Sequence, residues 1–276
     1  KWIEAFAPGW DGPAAAGFGA RAAELVKQAE EIGIIKEPEA GKPSVEPAAP
    51  KPPTNELPWG IERVKAPQAW SKTQGQGVKV GVIDTGIDNK HPDLAANYKG
   101  GFNAIEPSAA PFDDQGHGTH VAGTIAAARG NGGVAGVAPK ASLYAIKVLD
   151  ADGGGTPAGI VDGIEWAVQN GMQVVNMSLG GPSSAVMKKA DKAAVQAGVT
   201  VVAASGNDPN EPVSAPARYP ESICVSASTE EDQLAFFSTT GPEVDFIGPG
   251  HEVWSDAPGR KLAMHSGTSM ATPHVA

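Results

Sequence analysis

Cysteine is nearly absent from this 276-residue sequence, in which Cys224 stands alone. A single cysteine excludes an intramolecular disulfide framework and a thiolate metal cluster. Because Cys224 lies within the apolar run SICVSA, we expect a buried, unreactive side chain that packs like a small hydrophobic residue.

Long apolar runs and excess positive charge are also missing. A membrane helix needs about 20 consecutive apolar residues, whereas runs such as VKVGVID and VTVVAAS are short and rich in β-branched residues, as buried strands are. The 21 lysines and arginines face 31 aspartates and glutamates, which gives a formal net charge of -10. Nucleic-acid-binding modules usually carry a basic face. We therefore expect neither a membrane span nor a nucleic-acid partner.

The first 58 residues differ in composition from the rest. Residues 20–35, ARAAELVKQAEEIGII, place apolar residues at helical spacing and predict one short amphipathic helix in an N-terminal extension over residues 1–35. Residues 36–58 contain seven prolines, which favour extended backbone and predict a linker. The sequence thus predicts three parts, of which residues 59–276 form the large domain.

From residue 59 onward, β-branched runs alternate with helical patterns. The runs predict strands over 78–83, 142–148, 173–177, 199–204 and 222–227, and helices over 117–127, 156–170 and 184–197. This alternation predicts a parallel sheet, because each parallel connection needs a crossover of a dozen or more residues. We expect a doubly wound, mostly parallel α/β domain with helices on both faces. In such domains functional groups gather at the carboxyl ends of the strands.

Polar or small residues follow three of these predicted strands. Asp84 comes directly after VKVGVI, Ser178 follows QVVNM, and Asn207 lies just beyond VTVVAA. Since the carboxyl ends of parallel strands meet at one edge of a sheet, these residues are predicted to lie near each other.

Four motifs supply the groups that acyl transfer requires. Asp84 lies in VIDTGID, His117 in DDQGHGTHVAGTIAA, Asn207 in VVAASGN and Ser269 in HSGTSMATPHVA. Acyl transfer needs a nucleophile, a base, a group that orients the base, and donors for the oxyanion. With these motifs and the chain order Asp, His, Ser, the sequence resembles the subtilisin family of serine proteases over about residues 59–276.

The resemblance implies a serine endopeptidase that cleaves protein or peptide substrates through an acyl-enzyme. Ser269, at the first turn of a helix, is the implied nucleophile, His117 the general base and Asp84 its orienting carboxylate. Asn207 is the implied side-chain donor of the oxyanion hole. The implied walls of the main specificity pocket are Ser178, Leu179, Gly180, Gly181, Ala204, Ser205 and Gly206.

The resemblance also implies a structural Ca²⁺ site and no organic cofactor. Asp93 in HPDL matches an aspartate of the family's calcium site. The loop at 128–134, ARGNGGV, offers Asn131 and several carbonyls, all of them hard oxygen ligands that suit Ca²⁺. The match is incomplete, because glycine stands where the family loop often carries asparagine and Asn131 is displaced by one position.

Other histidines compete for the role of base. His120 lies three residues after His117, and the pair could be taken for metal ligands on one helix face. We interpret His120 instead as a hydrogen-bonded core residue. His251, His265 and His274 are interpreted as loop or packing residues.

The chain end leaves a second function open. The sequence stops at Ala276, about two turns into the helix that Ser269 begins, whereas the family continues for some tens of residues, so we expect a truncated catalytic domain. A helix that short is marginal without tertiary support. The alternative to an active endopeptidase is therefore a catalytically silent or incomplete homologue that binds peptides.

The resemblance also bears on processing, location and assembly. Members of the family are often secreted as zymogens, so the extension over residues 1–35 is interpreted as a propeptide remnant. For residues 1–58 as a whole, a linker to another domain and a regulatory extension are the alternatives. We expect an extracellular or secreted protein, with an intracellular location as the alternative. The sequence does not determine the oligomeric state, for which we expect a monomer.

Overall fold

The computed structural model describes residues 52–53 and 55–276, and Lys51–Ala276 cluster as one compact unit. The helix predicted over 20–35 and most of the predicted linker lie outside the described residues. Within them, a parallel sheet of seven strands runs in the order β2-β3-β1-β4-β5-β6-β7. Its strands are β1 Lys79–Asp84, β2 Tyr98–Asn103, β3 Ser142–Lys147, β4 Val174–Met177, β5 Thr200–Ala204, β6 Ile223–Ser228 and β7 Phe246–Pro249.

Helices and one hairpin complete the described structure. The helices are α1 Trp59–Arg63, α2 Ala66–Ala69, α3 Pro92–Ala95, α4 His117–Ala126, α5 Pro157–Gln169, α6 Ala185–Gln196 and α7 Thr268–Val275. Strands β8 Val253–Ala257 and β9 Lys261–His265 pair antiparallel directly before α7. Among the described residues, no helix is both long enough and apolar enough to cross a bilayer.

The eight elements predicted from the pattern are all present, with each end within one residue of its predicted position. The doubly wound α/β class is thereby confirmed. The pattern missed β2, which contains Gly100 and Gly101. The reason for glycine is steric, because a Cβ atom on Gly101 would lie 1.8 Å from the carbonyl oxygen of Ala145 in the neighbouring strand. The pattern also missed β7 and the β8–β9 hairpin.

The core forms two layers because side chains alternate along each strand. Ile83 of β1 packs among residues of α5 and α6, such as Ile164 and Met187, on one face of the sheet. Val80 and Val82 pack on the other face among residues of α4 and α7. Each fully buried side chain of this size contributes about 1.5–3 kcal/mol. The same alternation places Asp84, two residues after Val82, on the face that α4 and α7 cover.

Candidate active site

Asp84 and His117 are in direct hydrogen-bond contact. Asp84 is the last residue of β1 and is fully buried, and His117 is the first residue of α4. The Nδ1 atom of His117 lies 2.8 Å from Oδ1 and 3.0 Å from Oδ2 of Asp84. A carboxylate can only accept, so Nδ1 carries the proton and Nε2 keeps its lone pair. That tautomer is the one a general base needs.

The surroundings of His117 raise its pKa above the ordinary value of 6.5. Burial of the ring acts to lower the pKa. The charge of Asp84, the hydrogen bond with Asp84 and the charge of Asp113 act in the opposite direction, and together they prevail. His117 is therefore a stronger proton acceptor than an isolated imidazole.

A buried carboxylate fixes the first turn of α4. Asp113 Oδ2 accepts from the backbone N–H of Thr119 at 2.8 Å, and Oδ1 accepts from the Thr85 hydroxyl at 2.8 Å. The Thr85 hydroxyl accepts in turn from the N–H of Gly118, and the Thr85 N–H donates to Asp84 Oδ1 at 2.7 Å. This network satisfies otherwise unpaired amides at the helix start. It ties the backbone around His117 to the residue that follows Asp84.

Ser269 lies in the first turn of α7 and is held against the end of β4. Its hydroxyl donates to the carbonyl oxygen of Ser178 at 3.2 Å. The hydroxyl of Ser178 donates to the carbonyl oxygen of Ser269 at 2.7 Å and accepts from the Asn176 side-chain amide at 2.9 Å. Through these bonds Asn176 ties the end of β4 to the helix that carries Ser269.

The helices that carry His117 and Ser269 pack against each other. Met270, next to Ser269, is buried in the same cluster as Val121 and Ala122 of α4. Strand β1, which ends in Asp84, pairs with β4, after which Ser178 follows. The structure thus places Asp84, His117 and Ser269 at one edge and on one face of the sheet.

Asn207 has a fixed side-chain orientation. Its Oδ1 accepts from the backbone N–H of Thr268 at 2.8 Å and from the Thr268 hydroxyl at 3.0 Å. With Oδ1 engaged in this way, the Nδ2 hydrogens point to the other side of the amide. Asn207 is exposed and lies against the start of α7, because a Cβ atom on Gly267 would be 3.5 Å from Nδ2.

The predicted pocket residues follow two neighbouring strands, β4 and β5. Their side chains contribute little accessible surface, since Ser178, Leu179, Ala204 and Ser205 are all buried. The accessible positions are the glycines Gly180, Gly181 and Gly206. At these positions the surface is therefore mostly backbone.

The remaining histidines occupy distinct environments. His120 is fully buried, and its Nε2 donates to the carbonyl oxygens of Val253 and Ala263 at 3.1 and 3.2 Å, as expected for a core residue. His265 packs edge-on against His120 with 4.6 Å between ring centroids. Burial first, and then the charge of His117, lower the pKa of His265. Sequence reasoning missed this neighbour of His117, because only the hairpin that precedes α7 brings it there.

The predicted calcium ligands lie around the loop that follows α4. Asp93 is buried, and its Oδ2 accepts from the N–H of Val134 at 3.0 Å. Asn131 donates through Nδ2 to the carbonyl oxygens of Pro92 and Ala128 at 3.2 and 3.3 Å. A carboxylate and carbonyl oxygens thus lie at this loop beside the Nδ2 group of Asn131, and the donor set suits Ca²⁺ once the Asn131 amide turns its oxygen inward.

A parallel sheet with a buried aspartate, a histidine bonded to it and a serine at a helix start, in that chain order, defines an α/β protein of the serine-peptidase class. The family model described as the subtilase family matches residues 75–276. The chain belongs to the subtilase family.

Relatives and a solved structure agree with this assignment. Subtilisin BL of Lederbergia lenta is 51% identical over 222 residues, which cover 80% of this chain and 81% of that protein. Subtilisin amylosacchariticus of Bacillus subtilis subsp. amylosacchariticus is 48% identical over 227 residues, which cover 80% of this chain but 59% of that protein. The crystal structure of a cold adapted subtilisin-like serine proteinase superposes with a TM-score of 0.73 at 35% identity, covering 80% and 82% of the two chains.

Proposed function

We propose that this protein is a serine endopeptidase that hydrolyses peptide bonds through an acyl-enzyme on Ser269. The observation that carries the proposal is the pair of short contacts from His117 Nδ1 to the buried carboxylate of Asp84. They leave Nε2 as the acceptor. The packing of α4 against α7 brings Ser269 to the same edge of the sheet.

The chemistry follows from these positions. His117 Nε2 takes the proton of the Ser269 hydroxyl while the oxygen attacks the scissile carbonyl carbon, and the Asp84 carboxylate stabilises the imidazolium. The backbone N–H of Ser269 and the Nδ2 group of Asn207 donate to the oxyanion. His117 then gives its proton to the leaving amine, and the acyl-enzyme forms as the C–N bond breaks. Water repeats the sequence and releases Ser269.

Protein or peptide chains are the proposed substrates. The glycines that follow β4 and β5 leave backbone edges against which an extended chain can pair, as in strand addition. The resemblance to the subtilisin family implies that a glycine-lined pocket of this kind accepts large apolar side chains. From the resemblance to the subtilisin family we also propose that the protein acts outside the cell and as a monomer.

Ca²⁺ is the proposed structural ion. Asp93 and Asn131 would hold it together with loop carbonyls, including that of Ala128. The ion would cross-link the start of α3 to the loop after α4 and would take no part in the chemistry. Its proposed effect is on stability.

Cleavage of a blocked peptide with a large apolar residue before the scissile bond tests the function. The wild-type chain should hydrolyse it, whereas the Ser269→Ala variant should bind it without turnover. Binding by the wild type without cleavage would contradict an endopeptidase and favour a silent, peptide-binding homologue. Equal cleavage by both proteins would assign the activity to another residue.

A further inference from the structure

Three buried ligand-type side chains that have no part in the proposed chemistry converge between α3 and β8. His91 immediately precedes α3, Asp93 lies within α3, and Asp256 lies in β8. One ligand atom from each lies within 4.8 Å of the other two, and the residues are 3%, 1% and 0% exposed. The cluster joins parts of the chain more than 160 residues apart, so the sequence pattern gave no sign of it.

The hydrogen bond on the far side of His91 determines which nitrogen faces the cluster. Nε2 lies 3.2 Å from the carbonyl oxygen of Lys261, which can only accept, so Nε2 carries the proton. The lone pair is then on Nδ1, which lies 3.6 Å from Asp256 Oδ1 and accepts a long hydrogen bond of 3.3 Å from the backbone N–H of Asp93. A carbonyl behind an imidazole is the usual way in which proteins orient a histidine ligand toward a metal.

Asp256 has no hydrogen-bond partner for either carboxylate oxygen among the described residues. The carboxyl group is nevertheless fully buried, and a buried polar group without a partner is costly. Gly123 of α4 provides the room, because a Cβ atom there would lie 2.9 Å from Asp256 Oδ2. The oxygens of Asp256, a carboxylate of Asp93 and the lone pair of His91 are all acceptors. A cation between them would pair the two oxygens of Asp256 and would replace the long bond that His91 Nδ1 accepts from the N–H of Asp93.

We propose that His91, Asp93 and Asp256 bind a divalent transition-metal ion of the Zn²⁺ class. One imidazole nitrogen and two carboxylate oxygens suit Zn²⁺ or Co²⁺, whereas Ca²⁺ takes oxygen ligands alone. Metal–ligand bonds of about 2.0–2.2 Å place neighbouring tetrahedral ligands about 3.5 Å apart. That spacing is close to the 3.6 Å between His91 Nδ1 and Asp256 Oδ1.

The ion would link α3 to the β8–β9 hairpin. Strand β9 leads directly into α7, so this cross-link would steady the segment that carries Ser269. This site shares Asp93 with the proposed calcium site, whereas His91 and Asp256 belong to the transition-metal site alone. Variants of Asp93 would affect both ions, and the test therefore uses Asp256.

The test is titration of the metal-free full chain with Co²⁺, followed by its visible d–d absorption. A Ser269→Ala background prevents self-digestion. We expect one Co²⁺ per chain and a spectrum typical of mixed nitrogen and oxygen ligation. Zn²⁺ should compete for the site and, at 100 times its Kd, should raise the Tm by about 5 °C or more.

The decisive variant is Asp256→Asn, with Glu252→Gln, directly before the same hairpin, as the matched control. Asn has the size of a protonated carboxyl group, so the variant should fold, which its metal-free melting curve checks. Changes in the outer shell of a metal site cost 10–100-fold in affinity, so loss of a ligand should weaken Co²⁺ binding by more than about 100-fold. Glu252→Gln should bind as the wild type does.

The alternative occupant of the cluster is a proton. Burial, and then the charge of Asp93 and a close contact with its carboxyl group, raise the pKa of Asp256 to about 9, so one proton shared between the two carboxyl groups can stand in for the ion. Absence of stoichiometric Co²⁺ binding by the wild type would show that a proton alone fills the site and would overturn the proposal. Unchanged binding by Asp256→Asn would also overturn it.

Discussion

At the residue scale, the Asn207 amide illustrates how a flexible side chain becomes a directed donor. Both hydrogen bonds to its Oδ1 come from Thr268, the residue before the proposed nucleophile. The donor and the nucleophile are therefore positioned by the same turn of α7. A donor that is already oriented costs no reorganisation when negative charge develops on the substrate.

Replacing Asn207 by Ala should reduce turnover much more than substrate affinity. Loss of such a donor costs about 10²–10³-fold in kcat, as is known for the oxyanion asparagine of a subtilisin. Steady-state kinetics on a short peptide substrate give kcat and KM separately. Asn210→Ala, an exposed asparagine three residues further on, is the control and should leave both constants unchanged. An unchanged kcat in Asn207→Ala would refute the assignment.

The pKa of His117 predicts the acid limb of the pH–rate profile. Only the neutral imidazole accepts a proton, so kcat/KM should increase as the pH rises through the pKa of His117. Because the Asp84 and Asp113 carboxylates raise that pKa, the midpoint should lie above 6.5. The Asp84→Asn variant should lower the midpoint and reduce kcat by about 10⁴-fold. An unchanged midpoint in Asp84→Asn would show that Asp84 does not influence the general base His117.

At the element scale, α4 approaches the loop after β1 so closely that one position must be glycine. A Cβ atom on Gly118 would lie 2.2 Å from the carbonyl oxygen of Gly86 and 3.2 Å from Asp84 Oδ1. The residue beside His117 thus sets the distance between the helix and the strand that carry the pair.

Gly118→Ala should therefore damage both stability and activity. The backbone clash requires α4 to move, and overpacking of this kind costs about 1–3 kcal/mol. Since the His117–Asp84 contacts move with the helix, kcat/KM should fall by at least about 10²-fold. Thermal melts and peptide kinetics measure the two effects. Gly159→Ala in α5 is the matched control, because its Cβ meets only ordinary contacts. Equal behaviour of the two variants would contradict the steric account.

The elements that could be predicted from sequence are those with a strong local pattern. Strands β1 and β5 are β-branched runs, and α5 and α6 have helical spacing between turn residues, so local sequence determines them. Strand β2 contains Gly100 and Gly101, and β7 exposes Phe246 and Ile247, so neither shows the pattern of a buried strand. Their strand conformation comes from pairing with β3 and β6, partners that are distant in sequence.

At the scale of the whole molecule, contacts between distant segments position the residues that support the site, which the motifs alone do not identify. The motifs name Asp84, His117 and Ser269, but they do not show that Asp113, four residues before His117, fixes the start of α4. Likewise, the bond between Ser178 and Ser269 spans 91 residues. Such partners depend on which strands become neighbours. A single sequence does not state that order directly.

Removal of Ca²⁺ should destabilise the whole domain. EDTA should lower the Tm by about 3–10 °C if the ion cross-links α3 to the loop after α4, and Ca²⁺ alone should restore it. In Asn131→Ala, added Ca²⁺ should restore less of the lost Tm. In Asp256→Asn, added Ca²⁺ should restore the Tm as it does in the wild type, which distinguishes this ion from the transition metal. Differential scanning calorimetry measures both. An unchanged Tm in EDTA would rule out the proposed calcium site.

Trapping of the acyl-enzyme tests the central claim most directly. The chain is mixed with an activated ester of a blocked apolar amino acid, quenched in acid within the burst phase and digested for mass spectrometry. We predict that the acyl group is found on Ser269, that His117→Ala lowers its rate of formation by several orders of magnitude, and that Ser269→Ala abolishes it. Rapid hydrolysis with no acyl group on Ser269, or an acyl group on another residue, would contradict the account.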